Sequence, residues 1–277
     1  MFECDELAIY AGDDIAITDK IIITQPTLKQ IKDFGEKRYF NAVHTLTSVG
    51  ADLKWQLFEM GKDYTKIDDF DLFVQVISQI VSSKKRVYKE LIDNQKEHAD
   101  LLKSLSQEEL EGMMKNPMQL VLKDIDLADF IPMKAKYAEG DEQIILYDPQ
   151  KDITISRVIY LQMVEVVRKI HGFKRNNETP ANEATKMVLI EDAKEEAELN
   201  ANKPYKSIIL PLLSTLKVDT GQCGDNTIWN MKINEFFYDI RRLGKIDEAR
   251  RLLQGACSGF ASLKGIDKNR LDMFAEI

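Results

Sequence analysis

Three histidines, three cysteines and two short aspartate runs are the residues of this chain whose types could support metal or catalytic chemistry. His44, His98 and His171 lie far apart, and none has a cysteine or second histidine at the short spacing of a zinc site. His171-Gly172 reads instead as a helix end, where the imidazolium would complement the negative end of the helix dipole. Cys4, Cys223 and Cys257 are odd in number, widely spaced and free of any C-x-x-C pattern, so they read as free thiols. Asp124-x-Asp126-x-x-Asp129 lacks the glycine and the terminal glutamate of a calcium loop. Asp68-Asp69-x-Asp71 is better explained as a helix cap with first-turn charge. Gly221-Gln222-Cys223-Gly224-Asp225 offers a thiol without a base beside it in sequence, and reads as a turn. The glycine motifs of dinucleotide folds, phosphate loops and nucleophile elbows are missing from the sequence. No catalytic residue, cofactor or metal ligand is therefore assigned.

The elements that would position such residues are mainly helical. Ile15-Ala16-Ile17-Thr18 and Ile21-Ile22-Ile23-Thr24 flank Asp19-Lys20 and predict a small N-terminal β-hairpin. Pro26 stops it. Thr27-x-x-Gln30 is a capping box that starts a helix, Gly35 interrupts that helix, and Tyr39, Val43 and Leu46 continue on one face. Gly50 and Gly61 bracket a short helix carrying Leu53, Leu57 and Met60. Asp68 or Asp69 caps a longer one with Phe70, Phe73, Val74, Ile77, Ile80 and Val81. Ser106-x-x-Glu109 opens another that ends near Asn116-Pro117. A small β insert near 130–148 follows, with strands at Ile131–Tyr137 and Gln143–Tyr147 around Glu139-Gly140-Asp141-Glu142. The helical period returns over Ile155–Ile170.

Residues 173–182 read as a linker between a mostly helical domain at 1–172 and a helical C-terminal domain at 183–277. Thr179-Pro180 fits a cap followed by a first-turn proline, opening a helix to about 201. Ile208, Ile209, Leu212, Leu213 and Leu216 share a face, with Pro211 as a kink. Trp229, Ile233, Phe236, Phe237, Ile240 and Leu243 step by three and four. Ile246, Ala249, Leu252, Leu253 and Cys257 repeat the step beyond Gly244, which predicts two short helices in an αα-hairpin. Arg241-Arg242 lies opposite this stripe, as a solvated face or a docking surface for an acidic partner. The fold class is thus mainly α and bundle-like, with two small β elements.

Composition narrows the functions. The net charge of −8 argues against unaided binding to nucleic acid or to an anionic membrane. It is an average over unlike parts: up to Thr24 there are six acids against one lysine, while residues 201–277 carry twelve basic against nine acidic side chains. That contrast would permit electrostatic self-association into a homo-oligomer. The acidic start is no secretory signal, and no run approaches the roughly 20 apolar residues of a membrane span, so a soluble cytosolic protein is expected.

Two stretches carry a resemblance. The first is Ile22-Ile23-Thr24-Gln25-Pro26-Thr27-Leu28-Lys29-Gln30-Ile31, followed by Phe34-Gly35-Glu36. The second combines Trp229, Phe236-Phe237-Tyr238, Leu252-Leu253-Gln254-Gly255 and Lys264-Gly265-Ile266. Together they resemble proteins from the tail-morphogenesis region of tailed phages and prophages of Gram-positive bacteria, above all the tail assembly chaperones. The resemblance touches both ends of the chain and little of its middle. It implies a non-catalytic helical scaffold in the bacterial host cytoplasm. Such a scaffold coats the apolar tape-measure protein, helps recruit tail tube protein around it, and leaves before the tail is complete. In that reading Trp229, Ile233, Phe236, Phe237 and Ile240 line a groove for a partner helix, with Arg241 and Arg242 beside it. The alternatives are a structural tail or connector component of the virion, or an enzyme whose composite site is invisible in sequence.

Overall fold

The computed structural model describes residues 5–80, 116, 118–136, 142–221, 227–259, 262 and 264–277. The protein is mainly α, with a two-stranded sheet near the N-terminus and a three-stranded sheet later. The expected helix after Ser106, together with Cys4, Val81, Lys84-Lys85-Arg86, His98, Glu139-Gly140-Asp141 and Cys223, lies outside the described residues.

Asp5 caps α1 (Glu6–Ala11) by accepting from the Leu7 and Ala8 amides. The expected hairpin follows as β1 (Ile15–Ala16) and β2 (Ile22–Ile23), paired antiparallel with Ile15 opposite Ile23. The Thr27 hydroxyl accepts from the Gln30 amide and the Gln30 side chain accepts from the Thr27 amide. The capping box thus opens α2 (Leu28–Phe34) as its residue types require. Gly35, at φ 103°, breaks the chain into α3 (Glu36–Thr47). The positive φ is a conformation that glycine adopts without a side-chain clash.

A short 3₁₀ turn (Gly50–Leu53) leads into α4 (Lys54–Glu59), on which only Leu57 is buried. Met60, expected on its inner face, is exposed. Residues 69–80 form α5, capped by Asp68, whose carboxylate accepts from the Phe70 amide at 2.8 Å.

The expected β insert is a three-stranded meander, with β3 (Ile131–Lys136), β4 (Glu142–Asp148) and β5 (Ile153–Ile155) in that spatial order. Buried Asp148 accepts from the Gln150 and Lys151 amides and turns the chain into β5. Ile155 therefore ends a strand, and α6 (Arg157–His171) begins behind the Ser156 cap. The helical period over Ile155–Ile170 concealed this boundary, because Ile153 and Ile155 are buried on one strand face while α6 needs apolar positions immediately after them.

Residues 173–182 have no regular structure, yet they are fastened down. Arg175 forks onto Asp69 at 3.0 and 3.1 Å, Asn176 donates to Asp52 at 2.8 Å, and Lys54 pairs with Glu178 at 2.5 Å. The cap of α7 (Glu183–Ala201) is Asn182, whose side chain accepts from the Thr185 amide, and not Thr179. Only Ile190 of α7 is buried, in a small cluster with Val49, Ala51, Leu57, Tyr64 and Leu72. In α8 (Ile209–Asp219), Pro211 lies in the first turn, where backbone N–H groups lack intrahelical partners anyway, so it opens the helix instead of kinking it. Glu36 caps α8 from α3, accepting from the Ser207 hydroxyl at 2.6 Å and the Ile208 and Ile209 amides at 2.6 and 2.9 Å.

The expected αα-hairpin is one helix, α9 (Ile233–Cys257), with Gly244 in its interior. A lone glycine costs a helix about 1 kcal/mol relative to alanine. That is too little to break it where no proline or asparagine follows. A last short helix, α10 (Lys268–Leu271), lies against α9. No helix among the described residues is long and apolar enough to cross a membrane.

The main core draws on both sides of the 173–182 segment. Ile209, Leu213, Leu216, Ile233 and Phe236 belong to the same cluster as Tyr39, Phe73, Tyr160 and Val167. Residues 26–28 and 231–233 are joined by backbone hydrogen bonds at its edge: the Leu28 amide donates to Met231 O at 3.0 Å and the Ile233 amide to Pro26 O at 3.1 Å. Lys232 Nζ also donates to Gln25 O at 2.7 Å. Its stem crosses Gly12, where a Cβ would lie 2.4 Å from Lys232 Cγ.

Candidate functional site

The residues expected to form a partner groove occupy the 3₁₀ turn Thr227–Asn230 and the first half of α9. Ile233 and Phe236 are 0% exposed and belong to the core, so their apolar surface is already covered within the protein. Trp229, Phe237 and Ile240 pack half-buried against that core. Phe237 meets Phe236, Phe40 and His171 at ring-centroid distances of 5.5, 6.4 and 6.3 Å, and the Lys32 ammonium sits 5.4 Å from the Trp229 ring.

Arg241 and Arg242 are half-buried, so of the two readings the sequence left open, a solvated face or a docking surface, the first does not fit. Arg242 donates to Met273 O at 3.0 Å and Ala275 O at 2.8 Å, which straps residues 273–275 to the helix. Arg241 turns the other way, toward the C-terminus of α6. Its Nε donates to Phe237 O at 3.2 Å, and its guanidinium lies so close to Gly172 that a Cβ there would stand 2.0 Å from Nη1. Gly172, at φ 66°, is the left-handed residue that ends α6, so one glycine serves both the helix stop and the arginine approach.

Between α1, α6 and α9 this arrangement leaves a cleft of about 440 Å³. Ile9, Leu161, Val164 and Phe173 contribute apolar wall, and Arg168, Lys169, Lys174 and Arg241 contribute positive charge. Asn234, buried at its base, donates to Ile170 O at 2.9 Å and so satisfies a carbonyl at the end of α6.

Beneath the same helix end is a buried polar pair. His171 Nδ1 contacts Val167 O at 2.7 Å, and a carbonyl oxygen only accepts, so Nδ1 carries the proton. Burial pushes the His171 pKa down to about 4, which leaves the ring neutral and its Nε2 free to accept from the Tyr39 hydroxyl at 2.7 Å. The imidazolium expected at the helix end is thus overturned: desolvation of a 5% exposed ring outweighs the helix dipole. The same burial pushes the Tyr39 phenol well above its usual range.

The acidic runs are absorbed by structure. Arg157 pairs with Asp68 and Asp71, Asp69 holds Arg175, and Asp126 caps the 3₁₀ turn Leu127–Asp129 by accepting from the Ala128 amide. Among the described residues no three His, Cys, Asp or Glu side chains converge as a metal site. Sequence reasoning selected Arg241 and missed Arg168. The two arginines belong to different helices, and the signal nearest to both is Gly172, legible only as a helix stop. Compared with protein-family models, curated proteins and solved structures, the chain matches none.

Proposed function

We propose that this protein is a non-catalytic assembly factor of a tailed phage or prophage, a chaperone that binds the tape-measure protein in the bacterial cytoplasm and helps tail tube subunits gather around it. The observation that carries the reading is the second half of α9. Ile246, Leu252 and Leu253 recur at helical spacing, remain partly exposed, and belong to neither core cluster. An amphipathic helix of this kind offers its stripe to another helix through contacts at positions three, four and seven apart.

What lies beside the stripe is held largely by polar contacts. Arg270 pairs with Glu248 at 2.6 Å, Lys245 reaches Asn269 O, and α10 has no buried residue. In this half of α9 only Ala249 is fully buried. The binding surface in this reading moves from Ile233 and Phe236, which are core, to the part of the same helix beyond Gly244.

The test is co-expression of the full chain with the tape-measure protein of its own locus. Leu252→Asp and Leu253→Asp are expected to leave the circular dichroism spectrum unchanged and to abolish recovery of soluble tape measure. Equal recovery with both variants would defeat the reading. Abundant protein in purified virions, measured by mass spectrometry, would replace the chaperone with a structural tail component.

A further inference from the structure

The cleft between α1, α6 and α9 has a chemistry that helix binding at the far end of α9 does not use. Its volume of about 440 Å³ falls among pockets that enclose small molecules, typically about 300–1,000 Å³. Two half-buried arginines, Arg168 and Arg241, line it from different helices.

Each guanidinium has five N–H donors. Arg168 gives one to Thr47 O at 2.6 Å and Arg241 gives one to Phe237 O at 3.2 Å. Neither holds a carboxylate among the described residues. Elsewhere in the same fold Arg157, Arg175 and Arg270 each do. In a chain with an excess of acids, two partly desolvated arginines lining one cleft without a carboxylate in ion-pair contact are an arrangement that an incoming anion would complete. Burial lowers the pKa of both: at Arg168 the more distant Asp69 and Asp52 offset the loss of water only in part, and at Arg241 no carboxylate offsets it.

The carboxylates that line the cleft do not fill this role. Glu165 pairs with Lys169 at 3.3 Å, and Glu6 and Glu276 are exposed. Gly172 has a place in the design as well, since any side chain there would push the Arg241 guanidinium away.

We infer that this cleft binds a small organic anion, a carboxylate or phosphate carried on an apolar group, with its oxyanion on Arg168 and Arg241 and its apolar part against Leu161 and Phe173. Guanidinium forks match both oxyanions in a bidentate manner. The apolar wall sets a preference for an anion that carries a hydrophobic group over a bare ion.

Isothermal titration of the full chain at low salt tests this with benzoate, phenyl phosphate and inorganic phosphate as probes. At least one aromatic anion is expected to bind with a Kd below about 1 mM, at least tenfold tighter than inorganic phosphate. Arg241→Gln and Arg168→Gln are each expected to weaken it at least tenfold without changing the far-ultraviolet spectrum. No binding of either aromatic anion at 10-fold higher concentration than that threshold, or equal binding of inorganic phosphate, overturns the inference. Methyl resonances of Leu161 and Val164 in the unaltered protein give a readout independent of the variants. They shift on titration if the cleft is the site, and shifts confined to another region reject it.

Discussion

From Ile233 to Leu243, α9 lies against α6 and α1, and its Phe236 and Phe237 reach the rings around Tyr39 and His171. From Lys245 to Cys257 the same helix lies beside α10, and its contacts there include an Arg270–Glu248 ion pair and a Lys245 hydrogen bond to Asn269 O. Both halves carry apolar residues stepping by three and four. In the first half the step is answered by a core. In the second, Ala249 alone is fully buried, while Ile246, Leu252 and Leu253 keep part of their surface outside both clusters. Apolar periodicity identifies a face, and only the rest of the chain decides what covers it.

The largest test of this contrast is Phe236→Ala. A fully buried phenylalanine truncated in a packed core costs about 3–5 kcal/mol, counting lost transfer energy and the cavity left behind. Urea denaturation should show a loss of that size with an unchanged m-value. A loss below about 1 kcal/mol would mean that the first half is no better packed than the second.

The second test is pH. His171 sits beside Phe237 and is neutral in the fold, with its pKa lowered from 6.5 to about 4. A group whose folded pKa is depressed adds stability above its unfolded pKa and loses it as pH falls toward the folded value. Stability should therefore decline between about pH 6.5 and pH 4, by about 3 kcal/mol from this residue. Carboxylates titrate in the lower part of that window, so the residue-specific check is the imidazole resonance. An imidazole that titrates near 6.5 would place this end of the core in contact with water.

How far the sequence reached follows the same division between a local pattern and what lies across from it. The Thr27 capping box, the Gly35 break, the N-terminal hairpin and the inner face of α3 are set by neighbours in the chain, and all four were legible. Strand β5 was not, because three residues followed directly by a helix have no room to display a period of two. The cap of α8 was not, because Glu36 and Ser207 are neighbours only in space. In the candidate site Arg241 was legible as a charge beside an apolar stripe. Its companion Arg168 and the apolar wall of Leu161 and Phe173 come from other elements. The interior course of α9 through Gly244 was misread because glycine marks turns more often than it is tolerated within helices.

A smaller effect is expected from Leu253→Ala, and it tests the second half. Its side chain is less buried than that of Phe236, and truncation is expected to cost about 1–2 kcal/mol, below the cost at a fully buried position. Thermal denaturation should show this modest loss while co-expression with the tape measure shows a large one. If the stability loss instead matches that of Phe236→Ala, the stripe belongs to a core and is not free for a partner.

The smallest effect has the opposite sign and concerns the join between the halves. Gly244 is exposed, lies in the helix interior, and would place a Cβ in open space. Gly244→Ala therefore meets no clash and removes the backbone freedom that glycine has in the unfolded chain. The expected gain is about 0.5–1 kcal/mol, read as a rise in the urea midpoint at constant m-value. If the two halves were instead separate helices joined by a turn at this residue with positive φ, alanine would be strained there and the midpoint would fall. The sign of this one shift thus decides whether the core-bound half and the half proposed to meet a partner are one rigid rod. A rod would carry a partner's contact beyond Gly244 to the half of the same helix that lines the arginine cleft.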